Sequence, residues 1–161
     1  MELKLLKLSK ASVTSYLPYQ KGVYFPNEAP AEKISTGAER QRRYRAVRKL
    51  RSEPTEERLW EVLLLYSGVC FKTYSGLPFT YEIRKGRNGQ YTKELWIDRR
   101  EKSKSLAWSS VLLALRNIKN VGEVVERPKA LGDIRGVTYI YGMFYRFGLI
   151  DIPDEVKEKI L

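Results

Sequence analysis

Apolar side chains recur three or four residues apart in several stretches of the chain and alternate with polar ones in another, which predicts an α+β fold of four or five helices around a small antiparallel sheet. The first helical stretch opens on Thr36-x-x-Glu39, a capping box, and continues over 37–51 on Ala, Arg, Gln and Lys. Tyr44, Val47 and Leu50 make a narrow apolar stripe. Arg42, Arg45, Arg48 and Lys49 fall on the other side within an arc of roughly 120°, at about 100° per residue. Ser52-Glu53-Pro54 ends this helix and begins a second, since Pro suits a first turn and Glu53, Glu56 and Glu57 complement its dipole. Leu59, Val62, Leu63 and Tyr66, with Trp60 and Leu64 beside them, form its core face, and Gly68 stops the run.

Cys70 to Tyr74 reads as a short strand closed by a Ser75-Gly76 turn. Phe79 to Ile83 alternates, Asn88-Gly89 occupies the following loop, and alternation resumes through Leu95 and Ile97, so 79–98 is a β-hairpin. In a third helix, Ser103 or Ser105 is the expected cap and Trp108, Val111, Leu112, Leu115 and Ile118 the buried stripe. Val137, Ile140, Tyr141, Phe144 and Phe147 predict a fourth; alternation through Val137, Tyr139, Tyr141 and Met143 competes, and length decides for the helix. Pro153 begins a short final helix, 154–160, that docks Val156 and Ile160. Residues 36–161 are therefore one domain, with room for a winged-helix-like placing of helix and hairpin. Residues 1–35 are expected to be an extended arm, because Pro18, Gly22, Pro26 and Pro30 forbid a long helix. Leu3, Leu5 and Leu8 could add one strand, and Tyr16, Tyr19, Tyr24 and Phe25 are expected to pack on the body rather than stack on bases.

Composition narrows the chemistry. The chain has 161 residues and no histidine, which removes Ser-His and Cys-His nucleophile systems, zinc deaminase sites and histidine-metal chemistry. Cys70 is the only cysteine, so neither an intrachain disulfide nor a multi-cysteine zinc site can form, and its neighbours Val69 and Phe71 suggest a buried thiol. No apolar run approaches the about 20 residues that span a bilayer, and the start has no signal-peptide pattern. The expectation is a soluble cytoplasmic protein, in the host cytoplasm if phage-encoded, with no membrane partner and no cofactor.

Thirty Lys and Arg against nineteen Asp and Glu give a net charge of +11, which favours polyanionic partners through counterion release. The excess is local. Residues 39–51 carry seven bases and one acid, and residues 84–104 carry eight bases and three acids, whereas 52–83 is net −3. The candidate nucleic-acid contacts are thus Arg40, Arg42, Arg43, Arg45, Arg48 and Lys49 on the first helix, Arg84, Lys85 and Arg87 at the hairpin tip, and Arg99, Arg100, Lys102 and Lys104 beyond it. Arginine forks suit phosphates and guanine edges, and a basic glycine-bearing tip resembles a wing laid on a backbone. Ser103, Lys104 and Ser105, at the expected start of the third helix, could accept a phosphate.

Three blocks resemble a group of small bacterial mobile-element and phage proteins without settled function: Ser75-Gly76-Leu77-Pro78-Phe79-Thr80-Tyr81-Glu82-Ile83; Glu94-Leu95-Trp96-Ile97-Asp98-Arg99-Arg100 with Ser103-Lys104-Ser105; and Arg127-Pro128-Lys129-Ala130-Leu131-Gly132. The resemblance spans roughly residues 69–150 and carries over no catalytic residue. It implies a setting of conflict between mobile elements and their hosts. The expected function is non-catalytic binding of DNA or RNA. The alternative is a phage-encoded inhibitor of a host defence nucleoprotein, of anti-CRISPR or anti-restriction type. A Mg²⁺-dependent nuclease built on Glu82, Glu94 and Asp98, with Glu101 and Lys102 following, is a minor alternative, because alternation turns those carboxylates to solvent, where pairing with Lys93 or Arg99 accounts for them.

Overall fold

The computed structural model describes residues 35–98 and 104–161, and the arm expected over most of 1–35 lies outside them. Helix α1 (Gly37–Ser52) starts where the capping box places it: Thr36 Oγ1 accepts from the Glu39 N–H at 3.2 Å and the Glu39 carboxylate accepts from the Thr36 N–H at 2.9 Å. The helix ends as Ser52 Oγ and the Glu53 N–H both donate to the Lys49 carbonyl. Helix α2 (Glu56–Leu65) follows with Thr55, not Pro54, at its cap, so Pro54 lies just before the helix rather than in its first turn. Arg58 ties the corner by donating to the Lys49 carbonyl at 3.0 Å and pairing with Glu53 at 2.8 Å.

The apolar stripe of α1 is displaced from the expected one. Ala46, Val47 and Leu50 are buried against α2, whereas Tyr44 is 65% exposed. The buried face centres between the 43/47 and 46/50 pairs, which turns position 44 onto the flank.

Strands β1 (Phe71–Lys72), β2 (Pro78–Glu82), β3 (Glu94–Asp98) and β4 (Lys104–Ala107) form an antiparallel sheet in the order β1-β2-β3-β4. The expected hairpin is its centre, with Tyr81 opposite Ile97 and Glu82 opposite Trp96, and its tip is exposed. Helix α3 (Trp108–Asn117) starts later than expected. Lys104 and Ser105 extend the sheet, opposite Ile97 and Trp96, and Ala107 precedes the helix with no side-chain cap. The phosphate-accepting helix start at Ser103-Lys104-Ser105 is therefore overturned at Lys104 and Ser105, and Ser103 is outside the described residues. The cause is cross-strand pairing: Leu106 sits opposite Leu95 on the core face, and both are buried.

Helix α4 (Val137–Phe147) runs through the middle of the core, with Val137, Ile140, Tyr141, Gly142, Met143, Phe144 and Phe147 all buried. Phe71 stacks on Phe79 and Tyr81, each at 5.7 Å, and meets the Phe147 ring edge-on at 5.8 Å. Helix α5 (Asp154–Ile160) buries Val156 and half-buries Ile160, as its spacing predicts. Cys70 is half-buried rather than buried, between the buried Val69 and Phe71. Among the described residues no helix is long and apolar enough to cross a membrane.

Two buried phenols tie neighbouring segments to this core: Tyr81 donates to the Leu63 carbonyl within α2 at 2.6 Å and Tyr141 to the Val125 carbonyl at 2.7 Å. Burial pushes both phenols well above their ordinary pKa, since the anion would lose its hydration. A folded-state pKa raised above the unfolded value of about 10 contributes stability below pH 10 that is lost as pH rises beyond it. The expected result is a melting temperature that falls above about pH 10, and falls less steeply in a Tyr81→Phe/Tyr141→Phe variant; each substitution should cost about 1 kcal/mol at neutral pH. Thermal melts between neutral and alkaline pH check both parts, and equal alkaline slopes for the two proteins would contradict the assignment.

Candidate functional site

Helix α1 presents its cations in two groups. Taking about 100° per residue, Arg40, Arg48 and Arg51 lie with Tyr44 within an arc of roughly 80° on one flank, Arg42, Arg45 and Lys49 lie on the other, and Arg43 is half-buried on the inner side. The first group borders a cleft of about 540 Å³ lined by Ser35, Arg40, Arg43, Tyr44, Val47, Arg48, Arg51, Tyr66 and Arg146. Five of these residues are arginines, two are tyrosines, and none is a carboxylate. Among the described residues the ion pairs are Arg58–Glu53, Lys157–Asp151 and Lys157–Asp154, so no cleft arginine is neutralised by one of them.

Three of the arginines are held in place by backbone carbonyls. Arg43 Nε donates to the Leu65 carbonyl at 2.9 Å, at the end of α2. Arg51 Nε donates to the Phe147 carbonyl at 2.8 Å, at the end of α4. Arg146 donates to the Cys70 carbonyl. A helix C-terminus offers unsatisfied carbonyls and negative partial charge, so a guanidinium is stabilised there. The Nε bonds leave the terminal nitrogens of Arg43 and Arg51 for a second acceptor, with much of the side-chain ordering cost already met. Tyr66 adds a further support: the Arg43 and Arg146 guanidinium carbons lie 5.4 and 5.9 Å from its ring centroid. Gly148, at φ +71°, makes room for this arrangement, since a side chain there would run into the Arg51 guanidinium.

Arg43 thus has a structural duty that the linear pattern conceals, and it is half-buried. Arg40 and Arg48 are exposed at the cleft, whereas Arg42, Arg45 and Lys49 are exposed outside it. At the hairpin tip Arg84 lies over Trp96 at 4.2 Å and Lys85 over Tyr91 at 5.2 Å; Arg87 is exposed, and none of the three lines the cleft. Lys104 stands on β4, and Arg99, Arg100 and Lys102 lie outside the described residues. Lys93, expected to pair with a carboxylate, instead lies 3.9 Å from the Trp60 ring centroid, and that ring meets Trp108 edge-on.

The residues that sequence reasoning missed are Arg51, Arg146 and Tyr66, and Tyr44 in any role but core. Arg146 could have been noticed as the one cation in an otherwise apolar α4, in its last turn, where a carbonyl-binding arginine is common. A second cleft of about 710 Å³, lined by Lys72, Tyr145 and Ile160 among others, shares Arg51 and Arg146 with the first.

Of the nuclease alternative's residues, Glu82, Glu94 and Asp98 stand on the outer face of the hairpin, Glu82 and Asp98 exposed and Glu94 half-buried, and Glu101 and Lys102 lie outside the described residues. Among the described residues no three Asp, Glu or Cys gather where they could hold a metal ion. Comparisons with protein-family models, curated proteins and solved structures find no match to this chain.

Proposed function

We propose that this is a non-catalytic nucleic-acid-binding protein, of the kind carried by phages and mobile elements, that takes a phosphate backbone in the α1 cleft. The observation that carries the reading is the cleft's lining, among the described residues, of five arginines and two tyrosines with no carboxylate. Guanidinium groups gathered without counter-charges repel one another, and a polyanion relieves that repulsion while releasing its own counterions. Guanidinium forks match phosphate oxygens, and carbonyl-held arginines bind with less loss of side-chain freedom. Arg42, Arg45 and Lys49 add a general attractive field, and the hairpin tip a secondary contact through Arg87.

Fluorescence anisotropy with labelled DNA and RNA across a range of salt concentrations tests the proposal. If each of the five arginines displaces one counterion, log affinity falls against log salt with a slope of about −3.5 for a single strand and about −4.5 for a duplex. Absent or salt-insensitive binding to every form overturns it. One host protein retained in stoichiometric amount from nuclease-treated lysate would reassign the cleft to an inhibitor of a host nucleoprotein.

A further inference from the structure

The cleft carries a second tyrosine ring that the packing of the described residues does not account for. Tyr44 is 65% exposed, although its helix offers Ala46, Val47 and Leu50 as a complete buried stripe. It lies between Arg40 and Arg48 in an i, i+4, i+8 row, so its attachment point on the helix is about 6 Å along the axis from that of an arginine on either side. All three residues line the same cleft.

We propose that Arg40, Tyr44 and Arg48 form a reader of single-stranded nucleic acid, in which one base stacks on Tyr44 and its flanking phosphates meet Arg40 and Arg48. The inference rests on the backbone-binding function proposed above and adds the strandedness of the ligand. The alternation of cation, ring and cation matches that of phosphate, base and phosphate along a strand. A duplex presents base edges in its grooves and keeps base faces stacked inside, so it offers Tyr44 nothing to stack on. An unpaired base offers its face, whatever its identity, and stacking on an aromatic side chain strengthens binding without requiring a sequence. The three side chains project from fixed backbone positions, because the row is built on one capped helix whose inner side is held by Arg43 and Arg51.

The test compares four probes: a thymidine homopolymer, a uridine homopolymer of the same length, the duplex of the first with its adenine complement, and an abasic strand of equal phosphate count. Wild-type protein is expected to favour the two base-bearing single strands over both duplex and abasic strand by roughly tenfold, and the DNA and RNA arms show which sugar it accepts. Tyr44→Ala should weaken single-strand binding by roughly 5- to 100-fold and leave the abasic strand unchanged, while Tyr44→Phe should retain it. Equal binding of duplex and single strand, unmoved by Tyr44→Ala but lost on Arg40→Ala/Arg48→Ala, would overturn the inference and leave the backbone-binding proposal standing. Failure of all four probes to bind would remove both.

Discussion

Gly142→Ala is expected to lower the melting temperature by several degrees, although alanine is the better helix former by about 1 kcal/mol. Gly142 lies inside α4, where a Cβ would collide with the Lys72 carbonyl of β1 and come within 3.7 Å of the Phe79 ring. The obstacle is backbone on one side and a fully buried ring on the other, so no flexible side-chain end can give way. Overpacking of this kind costs about 1–3 kcal/mol beyond the helical gain, which for a chain this size is about 5 °C. Gly37→Ala is the matched control. It adds the same methyl group in the first turn of α1, where nothing lies within 4 Å, and should leave stability unchanged or slightly higher. Calorimetric melts of the two variants measure the difference, and a stable Gly142→Ala protein would show that α4 does not sit on β1 at backbone distance.

The second large effect concerns binding. Arg40→Glu/Arg48→Glu is expected to weaken nucleic-acid affinity by about 100-fold, as two charge-assisted contacts are lost and two repulsions are added. Arg42→Glu/Arg45→Glu changes net charge by the same amount on the opposite flank of α1 and should cost much less, because only the general field is altered. All four positions are exposed, so both proteins should fold like the wild type. Equal losses in the two variants would mean that total charge rather than the cleft governs binding.

Local chemistry made much of this fold readable in advance. The Thr36/Glu39 box, the 79–98 hairpin and the apolar run of α4 are each specified by residues a few positions apart. Strand β4 was not readable. Its four residues include lysine and serine, and what makes them a strand is pairing with β3, so Ser105 looks like a helix cap from sequence alone. The site followed the same division. A cationic helix could be seen in 37–51, but which of its cations face a cleft depends on α2 and α4 packing beside it. Arg51 reaches the Phe147 carbonyl across 96 residues, and Arg146 reaches Cys70 across 76. Tyr44 reads as core from sequence because periodicity alone cannot separate neighbouring faces of a helix when the stripe is only three residues wide.

The salt dependence of binding, measured side by side for the wild type and Arg40→Ala/Arg48→Ala, tests the central claim most directly. If the α1 cleft holds the phosphates, the double variant binds more weakly and its log–log slope on a single strand is shallower by about 1.4, the loss of two released counterions. Two parallel lines, with the same slope for both proteins, would place the phosphate contacts elsewhere and contradict the account.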